Sequence, residues 1–283
     1  MLRTTQLRVL TGSDIDDLRR LLDRDPLVNL FVRHRVDLTG LQERLMGGRV
    51  WGWFEDDELV SACHAGANVV PVQATPEAID AFADQLLAEG VRPASLVGLQ
   101  SAVLPLWERV ESAWGPARSV RPRQPFLVLD HDPAVEPDPR VHRVVLDEFD
   151  ALYPACVAMF TEEVGIDPET GGASGYRARV AQLITQGWAF AILEGTADHQ
   201  EVLFKTEVGA ATPFACQLQG VWVRPDRRGE DIAARALAAV VQQVRAEVAP
   251  VVTLYVNDHN VTARRTYERV GFRETEMFAS ILL

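Results

Sequence analysis

Val221-Trp222-Val223-Arg224-Pro225-Asp226-Arg227-Arg228-Gly229-Glu230-Asp231-Ile232-Ala233 is the stretch from which the rest of the chain can be ordered. Three residues of strand type, a proline turn and a basic loop with one glycine run straight into a helix. That helix is written by Leu237, Val240, Val241, Val244 and Val248, whose i, i+3, i+4, i+7, i+11 spacing makes one apolar stripe. A strand feeding a helix through such a loop aims free backbone N–H groups, and the positive end of the helix, at any anion in the loop. A second element follows: Asn260-Val261-Thr262-Ala263, then Tyr267, then Gly271-Phe272. Offsets of three, four and seven put Asn260, Ala263 and Tyr267 on one helical face. Asn260 is placed to cap that helix and Gly271 to stop it.

Working outward, the second half alternates strand and helix. Residues 141–146 have strand character, and 147–163 and 174–185 are helical. Strands follow at 188–193, 202–211 and 217–223, rich in β-branched and aromatic residues with turn residues between them. After the valine-striped helix come a short buried strand at 251–256, the 260–270 helix and an apolar finish at 278–283. The segment 131–140 holds three prolines and no apolar periodicity, so it reads as a linker between domains at 1–130 and 141–283. The halves echo each other. Trp107-Glu108-Arg109-Val110 falls late in the first as Tyr267-Glu268-Arg269-Val270 falls late in the second, and each is followed by an apolar strand. Agreement in order and position points to a duplicated architecture. In the first half Thr75-Pro76 caps a helix over 77–87, but no phosphate loop precedes it.

Composition narrows the function classes. At 283 residues, 47% apolar and 24% charged, the chain fits a soluble protein of two ordinary domains. A net charge of −12 argues against nucleic acid or an anionic membrane as main partner. No apolar run approaches the roughly 18 residues of a membrane span, and the polar start Met1-Leu2-Arg3-Thr4 is no secretory signal, so the expected location is cytoplasmic. Cys63, Cys156 and Cys216 are odd in number and lack metal-ligand spacing, so they read as reduced, buried thiols with no metal site. Lys205 is the one lysine among 28 basic residues. It reads as a base-composition effect of a GC-rich, bacterial genome, without mechanism.

The loop and the Asn260 helix together resemble the acetyl-CoA-binding signature of the GNAT superfamily of N-acetyltransferases. In that pattern Arg or Gln is followed three residues later by Gly, and two further on by Gly or Ala. Here these positions are Arg228, Asp231 and Ala233, so the middle one departs. Asp enters the left-handed region more readily than most residues. Its carboxylate must then point to solvent or pair with Arg227 or Arg228, or it would repel phosphates. The resemblance is specific over about residues 217–275, where it is similar to the glycine N-acyltransferase-like branch, and architectural elsewhere.

What the resemblance implies is an α/β layer fold with two tandem GNAT-like domains, each a mixed, mostly antiparallel sheet with helices on both faces. It further implies acetyl-CoA as cofactor, its pyrophosphate on Arg228, Gly229, Glu230, Asp231, Ile232 and Ala233 and its pantetheine arm along Val221, Trp222 and Val223. By the same resemblance Asn260 reaches the cofactor, the small Ala263 lets it pass, and Tyr267 protonates the departing thiolate. A main-chain N–H on the 221–223 strand would be the oxyanion donor. The first half, with Trp107 in place of the tyrosine, would be a degenerate copy.

The residues themselves must supply a base, because an attacking ammonium has to lose a proton. Glu207, between apolar neighbours on the strand before, is the candidate. Glu162 and Glu163, near the end of the first helix of the second half, are candidates to recognise a cationic acceptor. The expected activity is transfer of an acetyl group to a primary amine, on a small molecule or a peptide, by direct attack without a covalent enzyme intermediate. The alternative is a non-catalytic acyl-CoA-binding or partner-docking protein whose loop drifted at Asp231.

Overall fold

The valine-striped segment buries four of its five stripe residues: Leu237, Val240, Val241 and Val244 have no exposed surface, while Val248, just past the helix, is half-buried. Burying each is worth about 1.5–3 kcal/mol, which fixes this helix and, through it, the loop at its start. Around it, the computed structural model describes residues 4–170, 172–196 and 199–283, so part of the polar N-terminal stretch and Gly171, Ala197 and Asp198 lie outside the described residues. The elements of the first half are β1 (Thr5–Val9), α1 (Ile15–Leu22), α2 (Leu30–Thr39), α3 (Glu43–Met46), β2 (Gly48–Glu55), β3 (Glu58–Gly66), β4 (Asn68–Val72), α4 (Pro76–Ala88), β5 (Ser95–Leu99), α5 (Gln100–Trp114) and β6 (Ser119–Leu129). Those of the second half are β7 (His142–Arg143), α6 (Phe149–Val164), α7 (Ser174–Thr185), β8 (Ala189–Thr196), β9 (His199–Ala211), β10 (Ala215–Val223), α8 (Ile232–Glu247), β11 (Val251–Tyr255), α9 (Val261–Val270) and β12 (Arg273–Leu282).

Two compact units result, and both are discontinuous in sequence. One holds the chain up to Leu127 with Tyr255–Asn260 and Glu274–Leu283; the other holds Val128–Leu254 with Val261–Arg273. In the first unit the strands run β1-β2-β3-β4-β5-β12-β6. The last strand of the chain lies antiparallel to β5, from Phe278 opposite Leu99 to Leu282 opposite Ser95. It stays there because Ala279 and Ile281 join the apolar core under α4 and α5, while the buried Ser280 hydroxyl lies 2.6 Å from Gln124 Oε1. On the other sheet face Val50, Ala62, Val70 and Val72 pack with α1 and α2. Alternate residues of one strand thus serve opposite cores, as the pleat requires.

In the second unit the order is β11-β10-β9-β8-β7. Helices α6 and α7 cover one face through Leu152, Cys156, Met159, Val180 and Leu183, against Ala189, Ala191 and Trp222. Each unit carries one parallel strand pair, β4–β5 and β10–β11, and each such pair is joined by a helix and followed by another. The echo read from Trp107 and Tyr267 is therefore structural: each sits on the second of these helices, 7% exposed, one turn before a fully buried valine.

One local reading changes and another gains detail. The strand expected at 141–146 shortens to His142–Arg143, because the Val145 N–H takes the Glu148 carboxylate at 2.9 Å and turns the chain into α6. The segment 131–140 has no helix or strand, yet it is tied down. Ala134 N–H donates to Val270 O at 2.8 Å, and Asp138 N–H donates to Arg235 O at 3.0 Å.

Candidate active site

Two irregularities in β10 make room in the middle of a sheet. On one side, β10 pairs with β11 only from Ala215 to Gln217, so among the described residues the rest of the strand, to Val223, has no partner there. On the other side, the register against β9 jumps. Gln219 faces Glu207 and Trp222 faces Lys205, which leaves Gly220 and Val221 as a bulge with one residue too many. Gly220 is at φ +61, and a Cβ on it would lie 2.9 Å from Met159 Cε and 3.0 Å from Lys205 Nζ. Only glycine suits that turn. The consequence is that the main chain of Gly220 and Val221 leaves the ladder at the head of the predicted pantetheine strand, Val221, Trp222 and Val223.

The strand then delivers the chain to α8. Gly229 stands at φ +86, with open space where its Cβ would be, and Asp231 takes φ +64 as the residue before the helix. Among the described residues, none of the N–H groups of Gly229, Glu230, Asp231 or Ile232 donates to a main-chain acceptor. A loop of unspent donors at a helix N-terminus is an anion cradle. Its side chains are arranged around it. Arg228 donates twice to the Glu162 carboxylate, at 2.8 and 2.7 Å, and once to Val223 O at 3.0 Å. Arg227 holds Glu230 at 3.0 and 2.9 Å and Glu194 at 3.0 Å. Asp231 pairs with neither arginine of the loop. Its carboxylate meets the guanidinium of Arg269 on α9, with Oδ2 2.8 Å from Nη2. Ile232 is buried and Ala233 half-buried at the first turn.

Helix α9 brings Tyr267 in. The ring is 7% exposed and sits edge-on to Phe272, 6.1 Å between centroids. Burial first, and the Glu163 carboxylate second, push the phenol well above its ordinary value, so it stays protonated. Ala263 lies half-buried one turn earlier on α9, and the exposed Asn260 directly precedes the helix.

The carboxylates divide by environment. Glu162 is half-exposed and held below its ordinary value, chiefly by its hydrogen bonds with Arg228; Trp222 Nε1 also donates to it at 3.3 Å. Glu207 is 9% exposed on the sheet face under α6 and α7. Lys205 Nζ donates to its Oε2 at 2.6 Å and Gln219 Nε2 to its Oε1 at 3.3 Å. The structure therefore gathers Glu162, Trp222 and Arg228 at one corner, Glu163 near Tyr267, and Glu207 beneath the bulge. Two residues escaped the reading of the sequence. Arg269 gave no signal, since an exposed arginine on a helix is commonplace. Lys205 does give one, as a lone lysine inside the apolar run Leu203-Phe204-Lys205; a base-composition reading attaches no role to it, and the structure buries it.

In the first unit the corresponding corner is closed. Thr75 Oγ1 accepts the Ala78 N–H at 3.2 Å at the start of α4, Pro76 has no N–H to offer, and Ser61 Oγ takes the Thr75 N–H at 3.2 Å. Trp107 packs among Val103, Leu106 and Val110.

Comparison with known proteins agrees with this geometry. Residues 195–272 match the acetyltransferase (GNAT) family, and residues 48–152 match a domain of unknown function (DUF4081). A stretch of 53 residues is 43% identical to the uncharacterized N-acetyltransferase YycN of Bacillus subtilis; it covers 19% of this chain and 34% of that relative, so the chain spans about a third of its length. Whole-chain likeness is seen with solved structures, three of which follow. A GCN5-related N-acetyltransferase from Sphaerobacter thermophilus has TM-score 0.60 at 16% identity, covering 98% of this chain and 94% of that one. A GNAT-family acetyltransferase from Colwellia psychrerythraea has TM-score 0.56 at 13%, covering 98% and 100%. A tandem GNAT protein of the clavulanic acid biosynthesis pathway has TM-score 0.55 at 16%, covering 99% and 98%. At these identities the likeness shows the fold. Residues 195–272 are thus similar to the acetyltransferase (GNAT) family, and the chain as a whole has the fold seen in that tandem GNAT protein. No described helix is long and apolar enough to cross a membrane, and no cluster of three His, Cys, Asp or Glu among the described residues is placed to hold a metal.

Proposed function

We propose that this protein transfers an acetyl group from acetyl-CoA to a primary amine by direct attack. The observation that supports this best is the conjunction at β10: a strand free of its neighbour on one side, bulged on the other, and ending in a loop of open amides before α8. The residues present fit the cofactor. The N–H groups of Gly229 to Ile232 would hold its pyrophosphate, with Arg228 and the first turn through Ala233 beside them. The Val221–Val223 main chain would hold its pantetheine arm. Ala263, on α9, would line its course. Bound there, acetyl-CoA supplies an activated thioester.

The chain's own groups do the rest. A main-chain N–H at Val221 is preorganised to receive the developing negative charge on the carbonyl oxygen. Glu207 takes the proton that the attacking ammonium must lose, directly or through a water. Tyr267, kept protonated by burial, donates its hydroxyl hydrogen to the departing sulfur. Glu162 and Glu163 present negative charge to a cationic acceptor, Glu162 once Arg228 has turned to phosphate. The test is thiol release from acetyl-CoA across a panel of amines, with Tyr267→Phe as control. CoA binding with no release for any amine would defeat this reading in favour of an acyl-CoA-binding protein.

A further inference from the structure

Lys205 is the one lysine of the chain, and only 1% of its surface is exposed. Neither the anion loop nor the acceptor carboxylates need a cation at that place. Burying an ion pair is seldom better for folding than filling the same volume with apolar side chains, so stability alone does not account for it.

Its contacts do. The ammonium donates to Glu207 at 2.6 Å and lies 3.7 Å from the Cys156 sulfur on α6. Gln219 donates to the other Glu207 oxygen at 3.3 Å, and the Thr206 hydroxyl donates to the Gln219 carbonyl at 2.9 Å. These groups grip the residues that flank the register jump, Glu207 with Gln219 on one side and Lys205 with Trp222 on the other. Between them Gly220 passes so near that a Cβ would lie 3.0 Å from the ammonium and 3.3 Å from Glu207 Oε1. The charge pair is the floor under the bulge.

We infer that Lys205 is a positioning residue for acyl transfer: pinned to Glu207 beneath Gly220, it holds the bulge that presents the Val221 main chain and fixes the carboxylate beside it. The catalytic consequence rests on the acetyltransfer reading; the structural one does not.

The experiment compares wild type, Lys205→Met and Lys205→Arg by CoA titration calorimetry, kcat at saturating acetyl-CoA and amine, and amide hydrogen exchange at Trp222, the first residue back in the ladder after the bulge. For Lys205→Met the expected results are a CoA Kd within about 3-fold of wild type and a kcat lower by about 100-fold, the scale of a small misplacement of reacting groups. Exchange at Trp222 should be faster by about 10-fold or more. Lys205→Arg, which still donates to Glu207, should recover about a tenth of the wild-type rate. Wild-type kcat and wild-type Trp222 exchange in Lys205→Met would overturn the inference. So would a CoA Kd weakened in proportion to the lost rate, the mark of general unfolding. If Lys205→Met does not fold, Lys205→Met/Glu207→Leu removes both charges together. Fast Trp222 exchange in that folded variant supports the floor, and wild-type exchange overturns it. Should wild type transfer no acetyl group at all, the transferase reading falls by itself, while Trp222 exchange still decides the role of Lys205.

Discussion

Asp231 Oδ2 lies 2.8 Å from Arg269 Nη2, so the carboxylate that interrupts the loop signature is neutralised from α9, 38 residues further along the chain. The departure from glycine costs little in backbone terms, because Asp tolerates the left-handed conformation that Asp231 adopts at φ +64. Its electrostatic cost is met by Arg269. Asp231→Gly is therefore expected to bind CoA as well as wild type or up to about 10-fold tighter, since it keeps the turn and removes a negative charge. Arg269→Ala should weaken CoA binding by roughly 3- to 10-fold, most at low salt, where an unscreened carboxylate repels phosphate. Calorimetry at two salt concentrations checks both, and an unchanged Kd in Arg269→Ala would show that the anion binds elsewhere.

Arg228 cannot serve phosphate and Glu162 fully at once. Glu162→Gln, which loosens the bidentate pair at 2.8 and 2.7 Å, should tighten CoA binding by about 2- to 5-fold, a modest change because both side chains are about half-exposed. The same variant should raise the KM for a cationic amine and leave that for a neutral hydroxylamine unaltered. Equal KM shifts for both acceptors would remove Glu162 from acceptor recognition.

Tyr267→Phe is expected to lower kcat by about 10- to 100-fold with the CoA Kd unchanged. Because burial and Glu163 raise the phenol's pKa, the hydroxyl keeps its proton throughout the neutral range. The ratio of wild-type to variant rate should then stay constant from roughly pH 6 to pH 9. A ratio collapsing toward one as pH rises would mean that the tyrosine ionises in that range.

The three cysteines are buried and unpaired. Burial pushes the Cys156 thiol up to about 11 and the Cys216 thiol up to about 12, and raises Cys63 as well. Thiolate, the reactive form, is then scarce at pH 8. Iodoacetamide should leave the folded chain unlabelled and modify all three sites in denaturant, as read by intact mass. Rapid labelling of Cys156 in the folded protein would show α6 lifting from the sheet.

Acid should find Asp138 early. It is 5% exposed, and hydrogen bonds from the Arg140 guanidinium hold its pKa below the ordinary carboxylate value. A carboxyl group with its pKa lowered in the folded state contributes stability above the unfolded pKa near 4, and that contribution is lost as pH falls through the folded value. Asp138→Asn should cost about 1–2 kcal/mol at pH 7 and flatten the loss of stability below roughly pH 4. Denaturant melts at pH 7 and pH 3 measure both.

Much of this was legible in local patterns. The predicted helix over 174–185 and the helix starting after Asn260 match α7 and α9, and the strands at 202–211 and 217–223 lie within β9 and β10. The Trp107 and Tyr267 echo marked equivalent helices in the two halves of the fold. The strand expected at 141–146 is shorter in the structure because β-branched residues there supply propensity, whereas one hydrogen bond from the Val145 N–H to Glu148 ends the strand. The burial of Lys205 is not legible in the sequence, because a lone lysine has no periodicity to place it.

The order of strand, loop and helix and the burial of the valine stripe up to Val244 follow from the residues alone, since backbone chemistry and the 3.6-residue repeat act over a few positions. The candidacy of Tyr267 comes from the family resemblance that Asn260, Ala263 and Tyr267 carry together. Which charges meet does not. Arg228 with Glu162, Asp231 with Arg269, and the placing of β12 beside β5 join residues far apart in the chain. No local repeat encodes such pairings; they exist only once packing has brought distant segments within reach of each other's charges and hydrogen bonds.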